Sequence, residues 1–322
     1  MIETQKLQGL VAATFTPFSL QNDVDLNAIP RVTEHLIDQG IAGLYVLGTT
    51  GEGLSLTEVE RRQVAESYVT SAAGRVPVIV QVGSDSLRQS RALAEHAEEI
   101  GADAVSAVSP LYFRPRDAEL LTNSMAEIAA GAPSLPFYYY HVPSITAVEV
   151  DLVRFCELAV RQIPSFRGVK YTASNVEEFT RCLNFDGDKL DVLWGTDELL
   201  LIGLQAGAKA AIGSTYNFAA PLYLQLWDAF RRGDIPTAKM HQSKAQELVT
   251  AFCAYGHRAA QKALMELIGV DCGPTRLPIP TLSPDEFASL RRDVLALKVL
   301  DIVQVDDSYQ SPHMRQGVFP SS

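Results

Sequence analysis

A lysine attacks a ketone to form a Schiff base only as the neutral amine, and one lysine of this chain stands where that form is favoured. In Ser165-Phe166-Arg167-Gly168-Val169-Lys170-Tyr171-Thr172 a short apolar run rises from a turn after Pro164 and ends on Lys170. Read as a strand, it buries Phe166 and Val169 and delivers Lys170 at its C-terminal end, the end where a β/α barrel keeps catalytic side chains. Partial desolvation there lowers the affinity of an amine for its proton. A lone strand-end lysine reads first as a solvated one. Its company elsewhere in the chain changes that reading.

Thr49 and Thr50 lie in the glycine-flanked turn Gly48-Thr49-Thr50-Gly51-Glu52. Hydroxyls and free N–H groups in such a turn suit a carboxylate, although alone the turn reads first as merely tight. Tyr140 ends the apolar run from Pro136, beside His141, and a phenol there can relay protons to and from a substrate hydroxyl. Strand alternation puts Tyr138 on the same side, so only the strand-end position separates the two tyrosines; Tyr138 reads as core and His141 as a structural histidine. Gly195-Thr196-Asp197-Glu198 follows another short apolar run. Two acids at a helix start are usually partners of the helix dipole, but at a pocket mouth they also suit sugar hydroxyls. Gly213-Ser214-Thr215-Tyr216-Asn217 follows the next run and closes the same rim.

These residues share one face only if the runs are strands of one sheet. Strands are expected over 10–14, 43–47, 76–82, 104–108, 136–140, 166–170, 191–194 and 210–212. Helices of period near 3.6 fill the intervals. The first is expected over 26–39, with Asp25 as N-cap and Gly40 as stop; Thr57 and Glu60 form a capping box for the second. Further helices are expected over 86–100, from Asp117 as cap to near Gly131, and over 148–160. Strands alternating with helices at this spacing imply parallel pairing with right-handed crossovers. Eight units close into a (β/α)8 TIM barrel, an α/β fold, over residues 1–220. An open doubly wound sheet is the alternative, but no Gly-rich dinucleotide fingerprint follows the first strand. Residues 221–302 read as a helical extension packed on the barrel, with helices over 225–232, 238–255, 257–268 and 284–297. Residues 303–322 are polar and aperiodic and read as a loosely ordered tail.

The chain has 322 residues, 47% of them hydrophobic, enough for a large core in one domain. Its net charge of −11 argues against nucleic acid or an anionic membrane as partner. The N-terminal residues lack the pattern of a signal peptide, and no apolar run approaches the roughly 20 residues of a membrane span. Cys156, Cys182, Cys253 and Cys272 are scattered without metal-ligand spacing. Reduced thiols in a cytoplasmic protein are the expectation, with neither metal nor cofactor.

The turn at 48–52, Tyr140 followed by His141-Val142-Pro143, Gly168-Val169-Lys170 and Gly213-Ser214-Thr215 occur here in one order and spacing. On these motifs the chain, from about Leu10 to Leu297, resembles the pyruvate-dependent class I aldolase superfamily of N-acetylneuraminate lyase and dihydrodipicolinate synthase. Within it, the stretches 137–143 and 213–217 look most like the lyase branch, especially its animal type. The resemblance implies that Lys170 forms the Schiff base with the C2 ketone and that Tyr140 moves the proton of the C4 hydroxyl. Thr49 and Thr50 would then bind the carboxylate, and Thr172, Gly195, Asp197, Glu198, Gly213 and Ser214 would line the sugar side. The implied reaction is reversible cleavage of N-acetylneuraminate to pyruvate and N-acetylmannosamine. Tyr112 matches the superfamily tyrosine that reaches a neighbouring subunit's site, and the implied assembly is a homotetramer. The preceding Leu111 departs from the aromatic residue common there.

A further departure separates the activities. Synthases of this superfamily place an arginine five residues after the relay tyrosine, to hold the aldehyde's carboxylate; here that residue is Ile145. An apolar side chain cannot replace a bidentate guanidinium. The synthase therefore ranks below the lyase, beside an aldolase or dehydratase for another 2-keto sugar acid. A sugar-acid-binding regulator without turnover has no need of an imine-forming lysine.

Overall fold

A computed structural model describes residues 6–187, 189–300 and 302. Eight parallel strands form a closed barrel in sequence order: β1 (Gly9–Ala13), β2 (Gly43–Val46), β3 (Val78–Gln81), β4 (Ala104–Val108), β5 (Phe137–His141), β6 (Phe166–Tyr171), β7 (Asp191–Trp194) and β8 (Ala210–Gly213). Closure is made by β8 on β1, with Ala211 opposite Leu10 and Ile212 opposite Val11. Helices α1 (Ile29–Asp38), α2 (Glu58–Ala72), α3 (Leu87–Glu99) and α4 (Ala118–Ala129) follow the first four strands. A single turn, α5 (Pro143–Thr146), and then α6 (Leu152–Gln162) follow β5; α7 (Val176–Leu183) and α8 (Leu200–Gln205) follow β6 and β7. After β8 come α9 (Tyr216–Arg231), α10 (Ile235–Cys253), α11 (His257–Leu267) and α12 (Pro284–Leu297).

The alternation of strand side chains divides the core in two. Val11, Tyr45, Ile79, Tyr138, Tyr140, Leu193 and Ile212 pack inside the barrel. Leu44, Val46, Tyr139, Val169 and Trp194 pack outward beneath the helices. One residue along a strand changes the layer, so Tyr138 and Tyr140 face inward while Tyr139 and His141 do not. Each apolar side chain buried this way stabilises the fold by about 1.5–3 kcal/mol relative to exposure.

The capping box of Thr57 and Glu60 is present, and Asp117 accepts a hydrogen bond from the Leu120 N–H at 2.8 Å. Three expectations need correction. The first helix begins at Ile29 and has no side-chain cap; Pro30 fits its first turn, where no N–H is required, and Asp25 caps a tighter turn by accepting from the Asn27 N–H at 3.0 Å. The helix after β5 starts at Leu152, where Asp151 caps it through the Arg154 N–H at 3.0 Å. The helix after β8 starts at Tyr216 and is kinked at Ala219, two residues ahead of Pro221, whose ring disfavours helical backbone before it. The tail expected over 303–322 lies outside the described residues.

Candidate active site

Strand β6 carries Lys170 to the C-terminal mouth of the barrel, in register with Tyr140 on β5 and Leu193 on β7. Its side chain is buried, and its Nζ lies 3.9 Å from the centroid of Tyr45 and 4.1 Å from that of Tyr140. Desolvation pulls the amine down to about 7, against the opposing field of Asp197. A large fraction of this amine is therefore neutral near pH 7, whereas a solvated lysine at that pH is almost wholly charged.

The Tyr140 hydroxyl is 3.3 Å from Thr49 Oγ1. Burial raises its pKa, opposed by hydrogen bonding to Thr49 and Thr172, so the phenol keeps its proton at rest. The two rings beside Lys170 also meet edge to face, with centroids 5.8 Å apart, and Tyr45 donates to Ser106 Oγ at 3.1 Å.

A cavity of about 460 Å³ opens over Lys170, within the roughly 300–1,000 Å³ usual for small-molecule sites. Thr50, Tyr140, Lys170, Thr172, Gly195, Asp197, Glu198, Gly213 and Ser214 all line it, so the fold brings these sequence candidates together. Thr49 lines an adjoining cavity of about 180 Å³ that shares Tyr140, Val142, Ile145 and Arg258 with the first. Tyr112 lines neither cavity. Its ring is 78% exposed beside the equally bare Phe113, at a centroid distance of 4.8 Å.

The two acids that follow β7 differ from each other. Asp197 is buried, and its Oδ2 accepts from both the Thr215 N–H at 2.8 Å and the Thr215 hydroxyl at 2.7 Å. Burial still pushes its carboxyl up to about 6. The Glu198 side chain is exposed, while its carbonyl accepts from Gln242 at 3.0 Å and Gln246 at 3.0 Å. The two rim glycines are required by close approach. A Cβ on Gly213 would stand 2.1 Å from Asp197 Oδ1, and one on Gly195 would stand 2.1 Å from Thr172 Oγ1.

Several residues of the site escaped the sequence reading. Tyr45 sits inside a run read only as buried strand. Glu52 takes a left-handed backbone at φ 53 and turns a buried carboxylate toward the C-terminal region. Its Oε1 is 3.1 Å from Lys262 Nζ, and its Oε2 accepts from the Arg276 N–H at 3.1 Å. Lys262 also donates to the carbonyls of Thr16 and Pro274, each at 2.8 Å. Arg258, in the first turn of α11, lines both cavities, and no spacing in the sequence marks it. His141 lies outside the cavity, stacked on Tyr171 at 5.4 Å, with its Nε2 3.8 Å from Glu178; burial pulls it down to about 4.

A neutral amine against a polar cavity, with a phenol and hydroxyl acceptors around it, is equipped for imine chemistry on a polyhydroxy keto acid. Comparisons with known proteins place the chain beside one group of relatives. The N-acetylneuraminate lyase of Pongo abelii is 38% identical over 308 residues, 94% of this chain and 96% of the relative. The human N-acetylneuraminate lyase is 37% identical over the same share. Among solved structures, the Proteus mirabilis N-acetylneuraminate lyase superposes with a TM-score of 0.90 at 38% identity, covering 92% of this chain and all of that one. A dihydrodipicolinate synthase superposes less closely, with a TM-score of 0.82 at 28% identity over 91% of this chain and all of its own. A family model matches residues 6–297, and the chain belongs to the dihydrodipicolinate synthetase family.

Proposed function

We propose that this protein is a Schiff-base aldolase that cleaves N-acetylneuraminate reversibly to pyruvate and N-acetylmannosamine. The observation that carries the reading is the buried Lys170 amine, held near 7 between Tyr45 and Tyr140 at the base of the cavity. The neutral amine adds to the C2 ketone, and loss of water leaves a protonated imine on Lys170. The C4 hydroxyl gives its proton to Tyr140 as Tyr140 passes its own through the Thr49 hydroxyl to the keto acid's carboxylate, and the same proton later returns along this path to C3. The C3–C4 bond breaks, its electron pair moves into the imine as an enamine, and the aldehyde leaves. Protonation at C3 and hydrolysis of the imine release pyruvate and restore the amine. Thr49 and Thr50 hold the keto acid's carboxylate, and Thr172, Gly195, Asp197, Glu198, Gly213 and Ser214 face its hydroxyls.

We also infer a homotetramer in the cytoplasm, in which Tyr112 reaches a neighbouring subunit's site. The resemblance at Pro110-Leu111-Tyr112 and the bare rings of Tyr112 and Phe113 support the contact. The four unpaired cysteines suit a reducing compartment. Among the described residues no helix is long and apolar enough to cross a membrane.

The test is borohydride reduction in the presence of pyruvate, followed by peptide mapping, beside a cleavage assay on N-acetylneuraminate. An adduct at Lys170, absent from Lys170→Arg together with turnover, is the expected result, because a guanidinium stays protonated. An adduct on another lysine contradicts the mechanism. A parent enzyme that traps pyruvate but leaves N-acetylneuraminate intact acts on another 2-keto sugar acid.

A further inference from the structure

Residue 145 is apolar, yet the cavity wall it belongs to also carries a guanidinium. Arg258 reaches that wall from α11, a different part of the chain, and lines both cavities together with Ile145, Val142 and Tyr140. Among the described residues it makes one hydrogen bond, Nη1 to Gln261 Oε1 at 2.7 Å, and no ion pair. Gln261 donates in turn to Ser214 Oγ at 2.9 Å, so the fork is braced against the rim of β8. Most of its N–H donors are left for whatever enters. A cation on a cavity wall is most strongly matched by an oxyanion, which a guanidinium can grip with two parallel hydrogen bonds.

The neighbouring charges leave room for that anion. Asp197 Oδ2 is engaged by Thr215 on the β7–β8 side, and Glu198 is exposed there. Neither acid lines the adjoining cavity of about 180 Å³. Glu52 does line it, but its carboxylate is bound by Lys262 and the Arg276 N–H. His257, beside Arg258 on the first cavity's wall, has its pKa lowered by partial desolvation and by the Arg258 charge, and so adds no fixed second cation there. The N-terminal end of α11 adds its own partial positive charge.

We propose that Arg258 is a specificity-determining residue for the aldehyde half of the reaction, and that it admits aldehydes carrying a carboxylate or phosphate in addition to neutral polyhydroxy aldehydes. The inference rests on the Schiff-base reading of Lys170. In the condensing direction the pyruvate enamine on Lys170 attacks the aldehyde carbon. A new C–C bond forms, the aldehyde oxygen takes a proton from Tyr140, which recovers the one released from pyruvate's methyl group when the enamine formed, and water then cleaves the imine. Arg258 takes no part in those bond changes; it holds the substituent of the incoming aldehyde.

The experiment is condensation of pyruvate with glyceraldehyde, succinic semialdehyde and glyceraldehyde 3-phosphate by the parent, Arg258→Met and Arg258→Lys. Trapping of pyruvate with borohydride, run on each variant, reports an intact Lys170 site. The expected result is that the parent condenses at least one anionic aldehyde. The ratio of kcat/KM for it to that for glyceraldehyde falls about tenfold or more in Arg258→Met, and less in Arg258→Lys. Which anionic aldehyde shows the larger fall tells carboxylate from phosphate. An unchanged ratio in Arg258→Met overturns the proposal, as does a parent that condenses glyceraldehyde and neither anion. Equal loss on all three aldehydes, with weaker pyruvate trapping, overturns it too, because Arg258 then grips the keto acid's own carboxylate. Should Arg258→Met fail to fold, the same ratio in Arg258→Lys decides. Failure of the Schiff-base reading is seen separately, as no adduct on Lys170 in the parent.

Discussion

Lys170 Nζ stands 3.9 Å from the centroid of Tyr45, close enough for the ring face to interact with any charge on the nitrogen. The ring excludes water and so favours the neutral amine from which the proposed reaction starts. In that mechanism the protonated imine keeps a charge on the nitrogen, and the same π face would offset some of its missing hydration. One neighbour would thus serve the proposed nucleophile and electron sink in turn.

The pH dependence of adduct formation follows from that amine. Below about 7 Lys170 is mostly ammonium and cannot attack; above it the neutral form dominates. The initial rate of pyruvate trapping should rise through pH 7 and level off, as read by intact-mass spectrometry. Asp197→Asn removes the negative charge that holds the amine's pKa up, so its midpoint should lie lower than the parent's. A parent midpoint above 9 would contradict the burial argument.

Asp197→Ala should cut kcat/KM for N-acetylneuraminate about tenfold or more, since a hydrogen bond to a charged acceptor contributes about 1.5–3 kcal/mol. Pyruvate trapping should survive, because pyruvate reaches only Lys170 and the threonine turn. Gly213→Ala should act in the same direction, since its Cβ would fall 2.1 Å from Asp197 Oδ1 and displace that carboxylate. Steady-state kinetics beside the trapping control checks both. Parent-like cleavage by Asp197→Ala would remove Asp197 from the sugar side.

Glu52→Gln should destabilise the fold by about 3–5 kcal/mol, the cost of leaving one member of a buried ion pair without the other. Lys262 keeps its two carbonyl acceptors, which favours the lower end of that range. Urea unfolding of Glu52→Gln, Lys262→Met and the double variant gives the coupling directly. Additive losses would mean that the pair contributes no energy of its own.

Hybrid oligomers test the inter-subunit contact. Tyr112→Phe should lower kcat without preventing assembly, and Lys170→Arg should be inactive. Refolded together, the two variants form some sites with an intact Lys170 and the partner's Tyr112, so part of the activity should return. A fully active monomer in sedimentation at micromolar concentration would exclude the arrangement.

The barrel was legible because its period is simple: short β-branched and apolar runs, each followed by a helical pattern, alternate through β8. The main cavity was legible because Lys170, Tyr140, Asp197 and Ser214 all fall at or just beyond strand ends. Helix starts were less so. Asp25 satisfies a cap pattern, yet Pro30 a few residues on determines where α1 begins. Arg258 and Lys262 were not legible, because their positions depend on how α11 packs against the barrel mouth rather than on any local spacing. Ile145 and Arg258 make the same point together: one residue's identity shows what it cannot do, and only the fold shows what stands beside it.

Glu52 and Arg276 meet although 224 residues separate them in the chain. A growing polypeptide emerges N-terminus first, so the turn that carries Thr49 and Thr50 appears early and waits for its final supports. All eight strands are available before Lys262 and Arg276 leave the ribosome. Until then Glu52 has neither the ammonium nor the backbone N–H that fix its carboxylate. The turn beside Lys170 therefore depends on residues that follow the last strand, and closure of the sheet alone does not complete it.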